Sequence, residues 1–209
     1  MPLKQRRLLI EAPNTLEGFD QFATSSSKVF SGIMFRYGNG LDPLLFVSAT
    51  RAAHLEFSLF LHLRDMNRNA LTAVLRSAKA LDIRLIFVGE PLPLKGVSPV
   101  GPADATSFLP FARSIVGPDI VFGTPSLFAH DLDRRLFFRM AEAGAHIFAV
   151  PPGDVDRARQ PGLEIWSRLR PNSRDIAEAP GVPVLVDLSD LGQIPFCEME
   201  SHIKGGFPR

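Results

Sequence analysis

The sequence has almost nothing with which to crosslink itself. One cysteine, Cys197, stands alone among 209 residues, which excludes an internal disulfide and suits a reducing compartment. No stretch reaches the roughly 18 apolar residues of a membrane helix, so membrane insertion is not expected. The start, Met1 to Glu11, carries basic residues but too few apolar ones for the core of a secretion signal, and a cytoplasmic protein is expected. A formal net charge of +1 supplies no global field to draw nucleic acid or a lipid surface. There is no Gly-x-Gly-x-x-Gly and no phosphate-loop lysine, which removes the commonest nucleotide-binding devices. Ser31, Ser48, Ser58 and Ser126 lack the glycine-flanked elbow of hydrolases. Cys197 has no basic neighbour nearer than His202 to lower its pKa, so a nucleophilic role is not expected of it.

Tyrosine and tryptophan are equally scarce, with one of each against 17 phenylalanines, and arginine greatly outnumbers lysine, a bacterial-like composition. What remains is globular: 45% hydrophobic and 22% charged residues can build and cover a core.

Asp65 to Gly89 is the most organised stretch. Met66, Ala70, Leu71, Val74, Leu75, Ala78 and Leu81 recur at helical spacing, with Asn67, Arg68, Thr72, Arg76 and Lys79 opposite. Residues 83–88 are then almost wholly apolar, which predicts a central strand covered on both faces. The helix-to-strand unit recurs: a helix over 105–116 despite Pro110, a strand over 119–122, a helix over 131–143, and a strand over 146–150. A helix interrupted by Pro161-Gly162 is expected within 154–169, then a strand over 182–186.

The first third reads differently. A short strand near Leu8-Leu9-Ile10, a strand over 28–37, a hairpin at Gly38-Asn39-Gly40 and a returning strand over 44–49 predict an antiparallel meander. From His54 to Leu63 the alternation is clean. Leu55, Phe57, Leu59, Leu61 and Leu63 share one face, and His54, Glu56, Ser58, Phe60 and His62 share what reads as a solvated one. The expected fold is therefore α/β, with α+β as the alternative. One domain over residues 1–209 would hold a mixed sheet, antiparallel in the N-terminal meander, followed by helix–strand units with helices packed on the sheet. Residues 90–104 form a Pro-rich surface loop in this reading, and 199–209 a frayed tail.

Chemistry would gather beyond the carboxyl ends of the strands. Asp187 and Asp190 make the best carboxylate pair, as weak candidates for holding a metal or moving a proton, although a strand end and the turn or short helix after it explain them better. His130, Asp131 and Asp133 read as a helix start. His54 and Glu56 cannot share a metal with His62, which lies about 26 Å along an extended strand. Arg157, Arg159, Arg168, Arg170 and Arg174 surround Trp166, a composition suited to a protein or nucleic-acid contact if the indole is exposed, and to a solvated face if it is buried. Leu92, Leu94 and Val97 make the loop 90–102 unusually apolar.

These features favour a non-catalytic intracellular binding protein, an accessory, regulatory or inhibitory partner of a larger protein machine. Its candidate contact residues are Leu92, Leu94, Val97, Arg157, Arg159, Trp166, Arg168 and Arg170, with no cofactor and with another protein as the partner. The alternatives are a small metal- or phosphate-dependent enzyme using strand-end carboxylates and, behind it, a nucleic-acid-binding protein.

Overall fold

The computed structural model of the chain describes residues 6–11, 16–37, 41–63, 66–89, 105–126, 131–169, 182–188, 196 and 198. Strands and helices alternate along it: β1 (Arg6–Glu11), α1 (Phe19–Ser26), β2 (Gly32–Tyr37), α2 (Val47–Ala52), β3 (Glu56–His62), α3 (Arg68–Ala80), β4 (Leu85–Gly89), α4 (Ala105–Val116), β5 (Val121–Pro125), α5 (Asp131–Glu142), β6 (Ile147–Val150), α6 (Val155–Ala158), β7 (Glu164–Leu169) and β8 (Val184–Asp187). Each strand pairs in parallel with the next, and β8 returns to pair in parallel with β1. The sheet closes into an eight-stranded parallel barrel of the (β/α)8 kind.

This corrects the expected mixed sheet and its antiparallel meander: β1, β2 and β3 run the same way. The error begins at 44–49, where Pro43–Phe46 is a 3-10 turn leading into α2. Asp42 accepts from Leu44 N at 3.0 Å, and Pro43 occupies the first turn, where its missing N–H costs nothing. Over so short an apolar run, a covered helix and a strand have the same composition. The proposed hairpin turn at 38–40 lies outside the described residues. A second correction falls at 154–169. Only Val155–Ala158 is helical, and Glu164–Leu169 is the seventh strand, starting after the turn at Pro161-Gly162.

The two faces expected of β3 hold as sets, but their surroundings differ from the expected ones. Leu55, Phe57, Leu59, Leu61 and Leu63 are buried against the helices. Ser58 and Phe60 of the other face are buried as well, because closure turns that face into the barrel interior. Elsewhere the periodicities hold. Asn67 accepts from Ala70 N at 2.9 Å to cap α3, whose Leu71, Val74, Leu75 and Ala78 are buried. Replacing a leucine such as Leu75 by alanine would cost about 2–5 kcal/mol.

The interior is filled by Met34, Phe60, Leu85, Phe87, Ile147, Ala149, Trp166 and Leu185. Two glycines make room for its largest rings. A Cβ on Gly123 would lie 2.4 Å from the Phe87 ring, and one on Gly89 would lie 2.6 Å from Phe60. Phe60 and Phe87 are register neighbours on β3 and β4, and Phe87 packs 5.6 Å from Trp166 of β7; with the other interior side chains they form a wall between the polar positions above and below.

Candidate functional site

At the carboxyl end of the barrel the inward positions are polar. Alternation from Met34 brings Arg36 to the end of β2, and alternation from Phe60 brings His62 to the end of β3. The Arg36 guanidinium carbon lies 5.0 Å from the Phe60 ring centroid, and the His62 ring lies 5.1 Å from the same ring. Beside His62 on β4 stands Gly89, and beside Arg36 on β1 is the register position of Glu11. Across the mouth, Asp187 closes β8 and Arg168 nearly closes β7. Asp187 is only 4% exposed, a burial that a carboxylate tolerates when it is paired. Arg168 supplies the pair, donating from Nε to Asp187 Oδ2 at 2.9 Å and from its terminal NH2 group to the same oxygen. The Arg168 side chain is 36% exposed, so the cation faces the opening and the anion lies beneath it.

At the amino end the described residues enclose a cavity of about 480 Å³, lined by Arg7, Ser58 and Glu56 on one side and by Leu85, Val121 and Ile147 on the other. Arg7 donates to Ser58 Oγ at 3.1 Å and pairs with Glu56, while its guanidinium carbon sits 5.1 Å from the Trp166 ring centroid. Burial pulls the Arg7 guanidinium below its ordinary pKa, and the nearby Glu56 and Glu164 oppose that pull. Trp166 Nε1 donates to Glu164 Oε1 at 2.7 Å. The carboxyl end is the stronger candidate for chemistry, because barrels of this topology carry their catalytic residues at the ends of the strands and in the loops that follow.

The residues singled out in the sequence are dispersed. Trp166 is 3% exposed and packs 5.6 Å from Phe87 inside the barrel, so no exposed indole is available for stacking. Arg157 pairs with Asp154 at 3.1 Å, and Arg159 pairs with Asp156 at 3.1 Å, both outside the barrel around α6. Arg159 also lines a depression of about 290 Å³ with Leu163, Ile165 and Val182. Arg168 belongs to the carboxyl-end site. Leu92, Leu94, Val97, Arg170, Asp190 and Cys197, together with 90–104 and 199–209, lie outside the described residues. Among the described residues, no three His, Cys, Asp or Glu side chains cluster as a metal site requires. Asp187 was the one site residue legible as a strand end. Arg36, His62 and Arg7 were missed because their inward direction depends on closure, although the alternation in β3 had placed His62 on the second face.

No family model and no curated protein matches the chain. Solved structures do match. The tryptophan synthase complex of Pyrococcus furiosus shares 11% identity over 96% of both chains, with a TM-score of 0.64. Orotidine 5'-phosphate decarboxylase from Pyrococcus horikoshii OT3 shares 15% identity over 95% of this chain and 99% of its own, with a TM-score of 0.52. A sialic acid aldolase of Ruminococcus gnavus shares 15% identity over 88% of this chain and 67% of its own, with a TM-score of 0.55. At such identities the likeness is one of fold. Among the described residues no helix is long and apolar enough to cross a membrane. The expectation of a non-catalytic accessory, regulatory or inhibitory protein is corrected here: its Trp166 contact is buried inside the barrel, Arg157 and Arg159 are engaged outside it, and the solved structures that share this fold include a decarboxylase and an aldolase. The reading moves to the alternative, an enzyme using strand-end groups.

Proposed function

We propose that the chain is an enzyme acting on a small anionic substrate at the carboxyl mouth of the barrel, with phosphate monoesters the first class to test. Asp187 moves a proton on the substrate, Arg168 holds the carboxylate in place, and Arg36 and His62 hold the substrate's anionic group from the opposite side. The observation that carries this reading is the buried Asp187 held by Arg168 at adjoining strand ends. Burying an ion pair costs several kcal/mol of desolvation per ion, of order 5, and an apolar pair would pack as well. A barrel that accepts this cost at its catalytic end has a use for the charges. Four ionisable side chains at inward strand-end positions of the same mouth also supply both the acid–base and the anion-holding roles that such chemistry needs. The lone cysteine suits a reducing compartment, and the cytoplasm is the location this reading assigns to the enzyme.

The test is thermal denaturation with inorganic phosphate, sugar phosphates and small dicarboxylates. A ligand at about 100 times its Kd stabilises by about 2.7 kcal/mol. The wild type should be stabilised by at least one compound, and Arg36→Gln and Arg168→Gln should lose the effect. Asp187→Asn should keep the binding and lose turnover of that compound. An unresponsive wild type, or an undiminished shift in both arginine variants, would sink the proposal.

A further inference from the structure

The amino mouth is where barrels of this kind ordinarily keep features that serve stability, and a stability plug fills its space. Here the space stays open. The cavity of about 480 Å³ falls in the size range of small-molecule sites. Its two walls also differ in chemistry. Leu85, Val121 and Ile147, from three consecutive strands, make an apolar wall, and Val121 remains 37% exposed at its lip. Arg7 and Ser58 make a donor-bearing wall opposite, and Arg51 and Arg84 stand on the rim.

The rim is built in advance. Arg51 donates to the carbonyl oxygens of Leu81 and Asp82, the latter at 3.2 Å, across a turn where Asp82 adopts φ 51. Arg84 pairs with Asp82 at 2.7 Å, but both side chains are more than two-thirds exposed, so the pair exchanges readily with water or with a guest. The carboxylates of the cavity have partners already: Glu56 has Arg7, Asp82 has Arg84, and Glu164 has the Trp166 N–H. Each guanidinium carries five N–H donors and no acceptor, so three of them beside three engaged carboxylates leave donors in surplus. A guest that completes this cavity brings acceptors for the arginines and an apolar body for the opposite wall.

We infer that the amino mouth of the barrel is a second binding site, separate from the carboxyl-end site, for a small amphipathic carboxylate. The carboxylate meets the planar forks of Arg84 and Arg51 at the rim, a geometry that guanidinium groups match bidentately. The apolar body lies along Leu85, Val121 and Ile147. This assignment uses none of the groups placed at the carboxyl mouth and stands whether or not that mouth is catalytic.

The experiment is isothermal titration of the full chain with three probes that share one body: 3-phenylpropionate, 3-phenylpropanol and 3-phenylpropylamine. Saturable binding of the carboxylate is expected, with the alcohol and the amine weaker by about tenfold or more, the worth of a charge-assisted hydrogen bond. Arg84→Gln and Val121→Asp, both at exposed positions, should each weaken the carboxylate by a similar factor, and Arg168→Gln should leave its affinity unchanged. The inference is overturned by absence of saturable binding, by equal binding of the three probes, or by affinity that survives both mouth variants. Loss of binding in Arg168→Gln would overturn it too, by moving the anion to the opposite end.

Discussion

The two mouths of the barrel solve the same problem in opposite senses. At the carboxyl end the anion is the buried partner: the Asp187 side chain is 5% exposed beneath an Arg168 side chain that is 36% exposed. At the amino end the cation is buried: the Arg7 side chain is 19% exposed beneath a Glu56 side chain that is 63% exposed. One pair therefore offers solvent a guanidinium with a carboxylate behind it, and the other offers a carboxylate with a guanidinium behind it. An interior ion pair is thus a directional object, and its direction decides which charge an arriving molecule meets first. A buried carboxylate under a cation is arranged to receive an anion and then act on it. A buried guanidinium braced by Ser58 and Trp166 is arranged as a floor.

The comparison breaks most severely if the wall between the two ends is removed. Phe87→Ala removes a fully buried ring from that wall and should cost about 3–5 kcal/mol in denaturant unfolding. A loss below about 1 kcal/mol would mean that the interior collapses and the ends were never separate.

Next come the exposed partners of each pair, because removing one strands a buried charge. Arg168→Met should destabilise the fold by about 2 kcal/mol, a value reduced from the fully buried case because Arg168 is partly solvated. Glu56→Gln should cost less, about 1 kcal/mol, since Arg7 keeps its bond to Ser58 and its place over Trp166. At either end the buried-partner variants, Asp187→Asn and Arg7→Met, should be milder than the exposed-partner ones. If they prove harsher, the directional reading of the pairs is wrong, and denaturation midpoints at constant slope would reveal it.

The smallest effect sharpens the carboxyl end alone. Burial, and then the charge of Asp42, raise the pKa of Tyr37, the only tyrosine, above its ordinary value of about 10. The neutral phenol is the form the fold favours. Its contribution is therefore fully present below the unfolded pKa and is lost as pH rises through the higher folded one. Ultraviolet titration should show tyrosinate appearing at higher pH in the native chain than in the denatured chain. Coincident curves would place Tyr37 in bulk solvent.

Much of the helix–strand rhythm was legible before any coordinates. The stripe running to Leu81, the strand over 83–88 and the helix stopped by Gly144 follow from periodicity and from breakers acting over neighbouring residues, and the structure places α3, β4 and α5 there within a few residues. Closure was not legible. It is a property of eight strands together, and it alone turns the second face of β3 from solvent to interior. Without it, Phe60 looks misplaced on a polar face, His62 looks solvated, and Arg7 lies outside any pattern. The run around Phe46 failed for a local reason, since four apolar residues carry too little period to separate helix from strand. Asp187 could be found because a carboxylate ending an apolar strand breaks a local pattern, whereas its partner Arg168 lay in a segment misread as helix.

Gly123 carries a consequence out of proportion to its size. By leaving room for Phe87, it lets that ring pack inside the barrel, 5.6 Å from Trp166, between the two ends. The Arg168–Asp187 bond at one end and the Arg7–Ser58 and Arg7–Glu56 bonds at the other engage different side chains, and free-energy changes made in one pair should add to those made in the other. A double-mutant cycle between Arg168 and Glu56 should close to within about 0.5 kcal/mol. The barrel would then behave as two thermodynamically independent surfaces on one scaffold, and each could be altered over evolutionary time without retuning the other.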